Sequence, residues 1–415
     1  MSRLHIDQNS SVGEAVAAVR TWIEVELPTS WQLAARQGLA ALRAIRSPRQ
    51  YRQWYPTFAY SGLVAPNWAS EHGGLGLSEP ATRAVEKELE PYNLYRMNQL
   101  GLHNAAAALF SYGTEEQRRR FLPPIVTNEE HWCQLFSEPG AGSDLASLAT
   151  RAERDGNDWV VTGQKVWTTA ADVADFGLLL ARTDPGQPKH RGITYFIVSM
   201  RQPGVEVRPL RQITGESEFN EVFLTEARVP DAHRIGEVGD GWTVSASTLA
   251  SERQMVSGTG SGGVGRLGGS GADRLIEVAR DNGRWNDPVV RQQVMRLWAE
   301  EQIRGWTNAR VRSELAAGQS PGPASSIGKV HQATLNQQIQ DLMVDLLGTD
   351  ALAWHASDDA DALPGEVRGM MRSLANGTEG GTTDINKNIL GERVLGLPKE
   401  PDPWKGKPWK EVPRS

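Results

Sequence analysis

The sequence changes its hydrophobic periodicity twice, and this constrains the fold more than any other feature. Apolar side chains recur at helical spacing through residues 1–130, alternate with polar ones through 131–236, and return to helical spacing through 237–396. Helical spacing predicts amphipathic helices, whereas short alternating segments without intervening helices predict an antiparallel barrel or sandwich. We therefore expect an α+β fold with an N-terminal helical domain, a middle antiparallel β-barrel or sandwich domain and a C-terminal four-helix-bundle domain.

Residues 397–415 form a tail of different composition, with five prolines, four lysines and two tryptophans. Such a segment is either an extended arm on a neighbouring subunit or a disordered tail. Because Trp404 and Trp409 would expose large apolar surfaces to water, we favour the arm.

Length and charge exclude several classes of protein. A chain of 415 residues predicts about two or three domains. The net charge of −6 provides no basic field, so nucleic acid is not the expected partner. Since no apolar run reaches the ~18 residues of a membrane span, and Met1–Ser10 lacks the apolar core of a secretory signal, we expect neither.

The cysteine and histidine content argues against disulfide and zinc chemistry. Cys133 is the single cysteine, which excludes an intrachain disulfide and fits a reducing compartment such as the cytoplasm. The eight histidines are scattered, without the spacing of a metal-ligand set, so we expect no metal.

A loop of small residues follows the apolar segment Trp132–Phe136. Gly140 and Gly142 allow a ligand to approach the backbone closely, and the hydroxyls of Ser137 and Ser143 can donate or accept hydrogen bonds. Taken alone, this loop is more typical of a surface turn than of a binding site, because short motifs are only hypotheses.

A second glycine-rich segment, Gly258–Gly265, matches the spacing GxGxxG twice. A dinucleotide-binding fingerprint should follow a strand, but this segment follows the predicted helix Trp242–Val256. We therefore reject a Rossmann site and expect the glycines to allow close helix packing or a kink.

Three stretches in this order resemble the acyl-CoA dehydrogenase family: Leu135–Asp144, Thr162–Thr169 and Glu379–Ile385. The upstream Glu71–Gly76 also fits, and the resemblance extends over most of the chain, from about Tyr51 to Leu397. It implies FAD as the cofactor, an acyl-CoA as the substrate and an electron-transfer flavoprotein as the next electron acceptor. It also implies a homotetramer or a dimer of dimers, with a related subunit as an alternative partner.

The dehydrogenation of an acyl-CoA requires a base for the α-proton, donors for the developing enolate and a hydride acceptor. By resemblance to a bacterial branch with the motif Glu-Gly-Gly-Thr-Thr, Glu379 is the base, and its own backbone N–H is expected to polarise the thioester carbonyl. The commoner family spacing from the glutamate to the following isoleucine is one residue shorter. A second alignment therefore remains, which places Asn376 at the base position and predicts an inactive or different site.

The resemblance also implies the remaining site residues. Ser137, Trp167 and Thr169 match residues beside the isoalloxazine, and Ser143 is expected to face either the FAD phosphate or the substrate chain. The signature Arg-x-Thr-Phe-Gly for the FAD pyrophosphate is absent, and Arg284 is its nearest substitute. The full set of expected cofactor contacts is Phe136, Ser137, Gly142, Ser143, Trp167, Thr169, Arg284, Thr382 and Asp384. The expected substrate contacts are Ser143, Arg253 and Gly380.

Two other functions remain open on the same scaffold. A non-catalytic or FAD-sharing subunit of a mixed tetramer would carry the fold without completing the reaction. A flavin-dependent monooxygenase would use reduced flavin and oxygen, and would have no need of a carboxylate such as Glu379.

Overall fold

The computed structural model describes residues 3–256, 271–317, 322–323, 326–352 and 363–413, with side chains described in the same ranges except 250–256 and 315–316. The predicted fold class is confirmed: helical N-terminal and C-terminal parts enclose a β-sheet domain. Among the described helices, none is both long enough and apolar enough to cross a lipid bilayer.

The helices of the N-terminal part are α1 (Val12–Glu26), α2 (Thr29–Gln37), α3 (Leu39–Ile45), α4 (Pro48–Tyr60), α5 (Glu79–Leu89), α6 (Ala106–Tyr112) and α7 (Glu115–Thr127). Capping boxes begin α1, α4 and α7, where Ser11, Ser47 and Thr114 accept hydrogen bonds from backbone amides of the first turn. Such caps satisfy amide groups that have no partner within the helix.

The pair Pro123-Pro124 does not end helix α7, although consecutive prolines normally stop a helix. The helix continues to Thr127 and ends at Asn128, which adopts a left-handed conformation. Each proline removes a backbone donor, but Phe121 and Ile125 are fully buried beside them. Burial of this face outweighs the lost hydrogen bonds.

The middle domain is one sheet of eight strands, and the structure describes every residue from 131 to 236. Its strands are β1 (Trp132–Leu135), β2 (Arg151–Asp155), β3 (Asp158–Thr169), β4 (Phe176–Arg182), β5 (Ile193–Ser199), β6 (Val205–Leu210), β7 (Phe219–Pro230) and β8 (Arg234–Ile235). The order is β6-β7-β3-β2-β4-β5-β8, and β1 pairs with β4. Most pairs are antiparallel, but β1 and β2 each pair with β4 in parallel, so the sheet is mixed rather than purely antiparallel.

Strand β1 connects the sheet to the helical domain through a shared aromatic core. The ring of Phe121 on α7 lies 5.6 Å from Trp132 on β1 and 5.4 Å from Phe176 on β4, in edge-to-face geometry. Edge-to-face pairs stabilise aromatic cores beyond the area they bury. The glycine-rich loop after β1 therefore starts from a rigid base.

The C-terminal part contains α8 (Gly241–Val256), α9 (Ala272–Asp281), α10 (Pro288–Ala316), α11 (Ser326–Leu347), α12 (Gly365–Ser373) and α13 (Thr383–Arg393). Helix α11 is central: α9, α10, α12 and α13 all pack against it. Helix α8 instead contacts α6 and β5. The segment Gly258–Gly265 lies outside the described residues.

The C-terminal tail folds back onto the β domain of its own chain. The amide of Trp409 donates to the carbonyl of Gln187 at 2.8 Å, and its indole N–H donates to the carbonyl of Ser147 at 3.2 Å. Its ring is only 9% exposed and lies 4.5 Å below the Arg182 guanidinium, whereas Trp404 is 39% exposed. The expectation of an arm on a neighbouring subunit, or of a disordered tail, is wrong for this part of the segment. The apolar ring is covered within the chain itself.

Candidate active site

The glycine-rich loop begins as a tight turn and ends on the surface. Glu138 and Ala141 exchange both backbone hydrogen bonds, N to O, at 3.1 and 3.0 Å. The following Gly142 and Ser143 are exposed, and a Cβ added to Gly142 would have no neighbour within 4 Å. The Val166 amide donates to the carbonyl of Ser137 at 2.9 Å, which holds the loop against β3. The space above Gly142 is therefore open to a ligand.

Trp167 stands on a β-bulge at the end of β3. Between Lys165 and Thr168 the strand has one residue more than the opposing part of β7, and Trp167 adopts φ 59°. A positive φ is strained for a bulky residue, and bulges commonly redirect a side chain beside a functional site. The indole is 61% exposed, with the Phe219 ring 6.0 Å away. Trp167 is thus a flat exposed surface and not a core aromatic.

The neighbouring predicted contacts divide into exposed and buried groups. Thr169 is exposed on the same side as Trp167, and the intervening Thr168 is buried, with no hydrogen-bond partner for its hydroxyl in the part of the chain that the structure describes. The ring of Phe136 is 3% exposed and packs edge-to-face on Tyr195 at 5.8 Å. The Phe136 side chain packs in the hydrophobic core, so it cannot make the expected contact with the cofactor. Only the Phe136 backbone remains for that contact.

A buried ion pair lies directly beneath this surface. The Lys165 ammonium is fully buried and donates to Glu138 Oε1 at 2.8 Å and to the Phe136 carbonyl at 3.0 Å. Glu138 also accepts from the amides of Ala149 at 2.6 Å and Thr150 at 2.9 Å. Burial raises the pKa of Glu138, but the Lys165 charge and these hydrogen bonds outweigh burial, so its pKa is lowered. Burial lowers the pKa of Lys165, and Glu138 opposes that shift.

Glu379 lies in the turn between α12 and α13. Arg372 donates two hydrogen bonds to its carboxylate, at 3.2 Å to Oε1 and 2.8 Å to Oε2. The side-chain amide of Asn376 donates to Oε1 at 2.8 Å. Glu379 is 24% exposed, so it points into neither bulk solvent nor a sealed core. Among the described contacts Oε2 accepts one hydrogen bond, which leaves it capacity for a proton.

The backbone of the turn corrects one expectation. The Glu379 amide donates to the carbonyl of Ala375 at 3.0 Å, so this N–H is occupied within the turn and is not directed at a substrate carbonyl. Gly380 and Gly381 follow with φ of 61° and 86°, values that glycine adopts at little cost. The Asn386 side chain then donates to the Gly381 carbonyl at 3.0 Å.

Asn376, the alternative base position, is completely buried. Its side-chain oxygen accepts from Asn336 at 2.6 Å, and its backbone carbonyl accepts from the Lys329 ammonium at 2.5 Å. With its amide nitrogen on Glu379, both polar atoms of the side chain are engaged. Asn376 supports the turn from below and cannot reach a ligand.

Arg372 connects the Glu379 turn with the β domain. Its Nε lies 3.5 Å from Glu218 Oε1, and its guanidinium lies 6.0 Å from the Phe219 ring, which is the ring beside Trp167. Burial raises the pKa of Glu218, and the carboxylates of Glu216 and Glu379 raise it further, against the opposing charge of Arg372. Trp167 and Glu379, which are over 200 positions apart in sequence, are joined through two residues.

The other predicted residues are not all brought to this region. Thr382 caps α13, accepting from the Ile385 amide at 3.1 Å, and Asp384 is exposed in the first turn. Arg284 lies in the exposed turn between α9 and α10, 4.0 Å from Asp287. Within the described chain Arg284 is not joined to the β-domain residues. The backbone of Arg253 belongs to α8, and its side chain lies outside the described residues.

Three charged residues of the site, Lys165, Glu138 and Arg372, have no role among the sequence-based expectations. The alternation along β3 places Trp159, Val161 and Lys165 on the inward side of the strand. A lysine at such a position requires a buried anionic partner. The sequence therefore carried a signal for Lys165, but none that distinguished Glu138 or Arg372 from surface charges.

Comparisons with known protein families decide the assignment. Profiles described as acyl-CoA dehydrogenase N-terminal, middle and C-terminal domains match residues 16–129, 133–226 and 239–395. The chain belongs to the acyl-CoA dehydrogenase family. It is 36% identical over 402 residues to "Acyl-CoA dehydrogenase IpdE1" of Mycobacterium tuberculosis, a match that covers 94% of this chain and 98% of that protein. The resemblance stated from the motifs is confirmed, and the protein is an enzyme of this class.

Solved structures of the same family have the same architecture. The "Tcur3481-Tcur3483 steroid ACAD" is 26% identical, with a TM-score of 0.71, covering 95% of this chain and 100% of that chain. A chain of the "ChsE4-ChsE5 complex from Mycobacterium tuberculosis" is 28% identical, with a TM-score of 0.67, covering 94% and 98%. Both of those proteins are described as pairs of named components.

Proposed function

We propose that this acyl-CoA dehydrogenase uses FAD to convert an acyl-CoA thioester to the trans-2-enoyl-CoA. One observation carries the proposal: the Glu379 carboxylate is linked through Arg372 and Phe219 to the exposed, strained Trp167. Glu379 offers the proton acceptor that the reaction requires, and Trp167 offers a flat surface for the cofactor that accepts the hydride.

The β-domain surface fits the isoalloxazine ring and the phosphates of FAD. Trp167 offers a planar face, Ser137, Ser143 and Thr169 offer hydroxyls, and the open space at Gly142 admits a close approach to the backbone. Bound FAD supplies the acceptor for the β-hydride, and the electrons then pass to an electron-transfer flavoprotein.

The chain's own contribution is to take and hold the α-proton. Glu379 Oε2, which accepts one hydrogen bond from Arg372, is the proposed acceptor atom. Since the Glu379 amide is already bonded to Ala375, we assign polarisation of the thioester carbonyl to the neighbouring amide of Gly380. Arg372 keeps the carboxylate in place and compensates its charge before the proton arrives.

The test is anaerobic reduction of the bound flavin. The purified protein is expected to be yellow and to bleach with a suitable acyl-CoA, and Glu379→Gln is expected to keep the colour and lose the bleaching. Glu218→Gln is the matched control, because Glu218 shares the same arginine but is not the proposed base. Bleaching that survives in Glu379→Gln refutes the assignment of the base.

A second candidate function follows from the same ion pair. A carboxylate held by a bidentate arginine is also what a purely structural role would require, so the chain could be the FAD-sharing subunit of a mixed tetramer. In that case the protein purified alone is colourless and becomes yellow only when a related subunit is co-expressed. In the first case a homotetramer is yellow by itself.

The substrate panel should include branched and long-chain acyl-CoAs and the CoA thioester of a steroid side chain, since one structural neighbour is described as a steroid ACAD.

Cys133 is buried and has no second cysteine in the chain to pair with. We therefore propose the cytoplasm as the compartment of the reaction.

A further inference from the structure

We propose that the buried Lys165–Glu138 pair positions the cofactor-binding surface, because it fixes the loop of Ser137 and Ser143 and the bulge of Trp167 before any ligand arrives. This inference rests on the proposed function, because it takes FAD as the ligand of that surface. Lys165 and Glu138 are positioning residues and not catalytic ones, since both lie beneath the surface.

Three separate segments of chain meet at the pair. Lys165 belongs to β3, Glu138 and the Phe136 carbonyl belong to the start of the loop, and Ala149 and Thr150 belong to its return. Ser137 lies between the two loop groups that Lys165 contacts. Ser143 lies between the two loop segments that Glu138 joins. Every candidate contact of the loop is therefore within a few residues of the pair.

The pair also controls the strained bulge. Val166 donates its amide to Ser137, and Trp167 follows directly with its positive φ. A strained conformation persists only where its surroundings determine it. Because Lys165 is anchored at two oxygens and Val166 at a third, the backbone enters the bulge from a fixed direction.

The geometry argues for positioning rather than for stability alone. A buried ion pair is often no more stabilising than a well-packed apolar pair of the same size, because the desolvation of both charges is costly. An ion pair, unlike an apolar contact, fixes direction: the carboxylate here aligns two loop amides and the ammonium aligns a loop carbonyl. The surface above gains a defined shape.

The experiment separates binding from folding by use of a neutral double variant. Lys165→Met/Glu138→Gln removes both charges but keeps one side-chain oxygen, which can accept from one of the two loop amides. We expect its apoprotein to unfold at a urea concentration close to that of the wild type, and to bind FAD about tenfold more weakly by fluorescence quenching. Trp159→Phe is the control, since it removes a hydrogen bond from the other end of β3, to Asp231.

Each outcome is informative. An unchanged FAD affinity in the double variant overturns the inference. A loss of FAD affinity also overturns it if Trp159→Phe shows the same loss for the same fall in urea midpoint. A wild-type protein that binds no FAD contradicts the proposed function instead. If the double variant does not fold, amide exchange of the wild-type apoprotein decides: the amides of Ala149 and Thr150 must already be protected without FAD, and rapid exchange refutes the proposal.

Discussion

The candidate site has an ion pair on each side, and the two differ in burial and in the number of partners. On the β domain, Lys165 and Glu138 are 0% and 8% exposed, and each polar atom is directed at a fixed group. On the helical bundle, Arg372 and Glu379 are 16% and 24% exposed, and the arginine is shared with Glu218.

The difference indicates that the Lys165–Glu138 pair is a scaffold, whereas the Arg372–Glu379 pair contains the reactive group. A fully buried pair cannot exchange partners without leaving a charge unsatisfied, so it holds one geometry. The Arg372 guanidinium contacts carboxylates on both the bundle and the β domain, and can compensate one when the other is protonated. That is the behaviour expected beside a group that gains a proton in each turnover.

The largest expected effect comes from breaking the buried pair on one side only. Lys165→Met leaves Glu138 charged, buried and without its cation. We expect the free energy of unfolding to fall by about 3–5 kcal/mol, measured by urea denaturation of the apoprotein. Restoring neutrality with Glu138→Gln in the same chain should recover most of the loss, and a double variant as unstable as the single one would contradict this account.

The corresponding change on the bundle side should cost less. Arg372→Met removes the partner of Glu379 and Glu218, but both carboxylates retain contact with water. We expect a loss of about 1–2 kcal/mol, again by urea denaturation. Arg368→Met is the matched control, because its pair with Glu216 is longer, at 3.5 Å, and more exposed. A loss equal to that of Lys165→Met would mean that the two pairs do not differ as described.

The contrast also explains what the sequence could and could not predict. The alternation of β3 and the helical spacing on either side were enough to predict the order of the helical, β and helical domains, because these patterns are local. The pair Pro123-Pro124 is a local stop signal that α7 does not follow, because burial of Phe121 and Ile125 is a tertiary effect. The roles of Arg372 and Glu138 depend on contacts with distant segments, which no local pattern encodes. Glu379 and Trp167 were found only because motifs that resemble a known family contain them.

The tail tests whether the scaffold extends beyond the pair. Trp409→Ala should release the segment around Pro408 from the loop of Gln187, because the indole provides its buried contact. We expect new tryptic cleavage at Lys405 or Lys410, with little change in the global urea midpoint, since such an opening is local. Trp404→Ala, which removes a more exposed ring, should leave the cleavage pattern unchanged. Equal cleavage in both variants would indicate that the docking of Trp409 does not protect the tail.

The smallest expected effect is on the pH dependence of stability, to which Glu138 and Glu218 contribute with opposite sign. The pKa of Glu138 is lowered from 4.5, so its stabilisation is complete above that pH and is lost as the pH falls toward the lowered value. The pKa of Glu218 is raised from 4.5, so the folded state retains the proton longer, and stability declines as the pH rises from 4.5 through the raised value.

Lys165→Met/Glu138→Gln and Glu218→Gln isolate these contributions between about pH 3.5 and 6.5, because neither variant leaves a buried charge without its partner. Relative to the wild type, Lys165→Met/Glu138→Gln should lose most stability at the upper end of the range and least at the lower end. Glu218→Gln should become relatively more stable as the pH rises, by a small amount because the side chain is 47% exposed. Opposite slopes support a scaffold carboxylate beside a responsive one, whereas slopes of the same sign would remove the distinction between the two sides of the site.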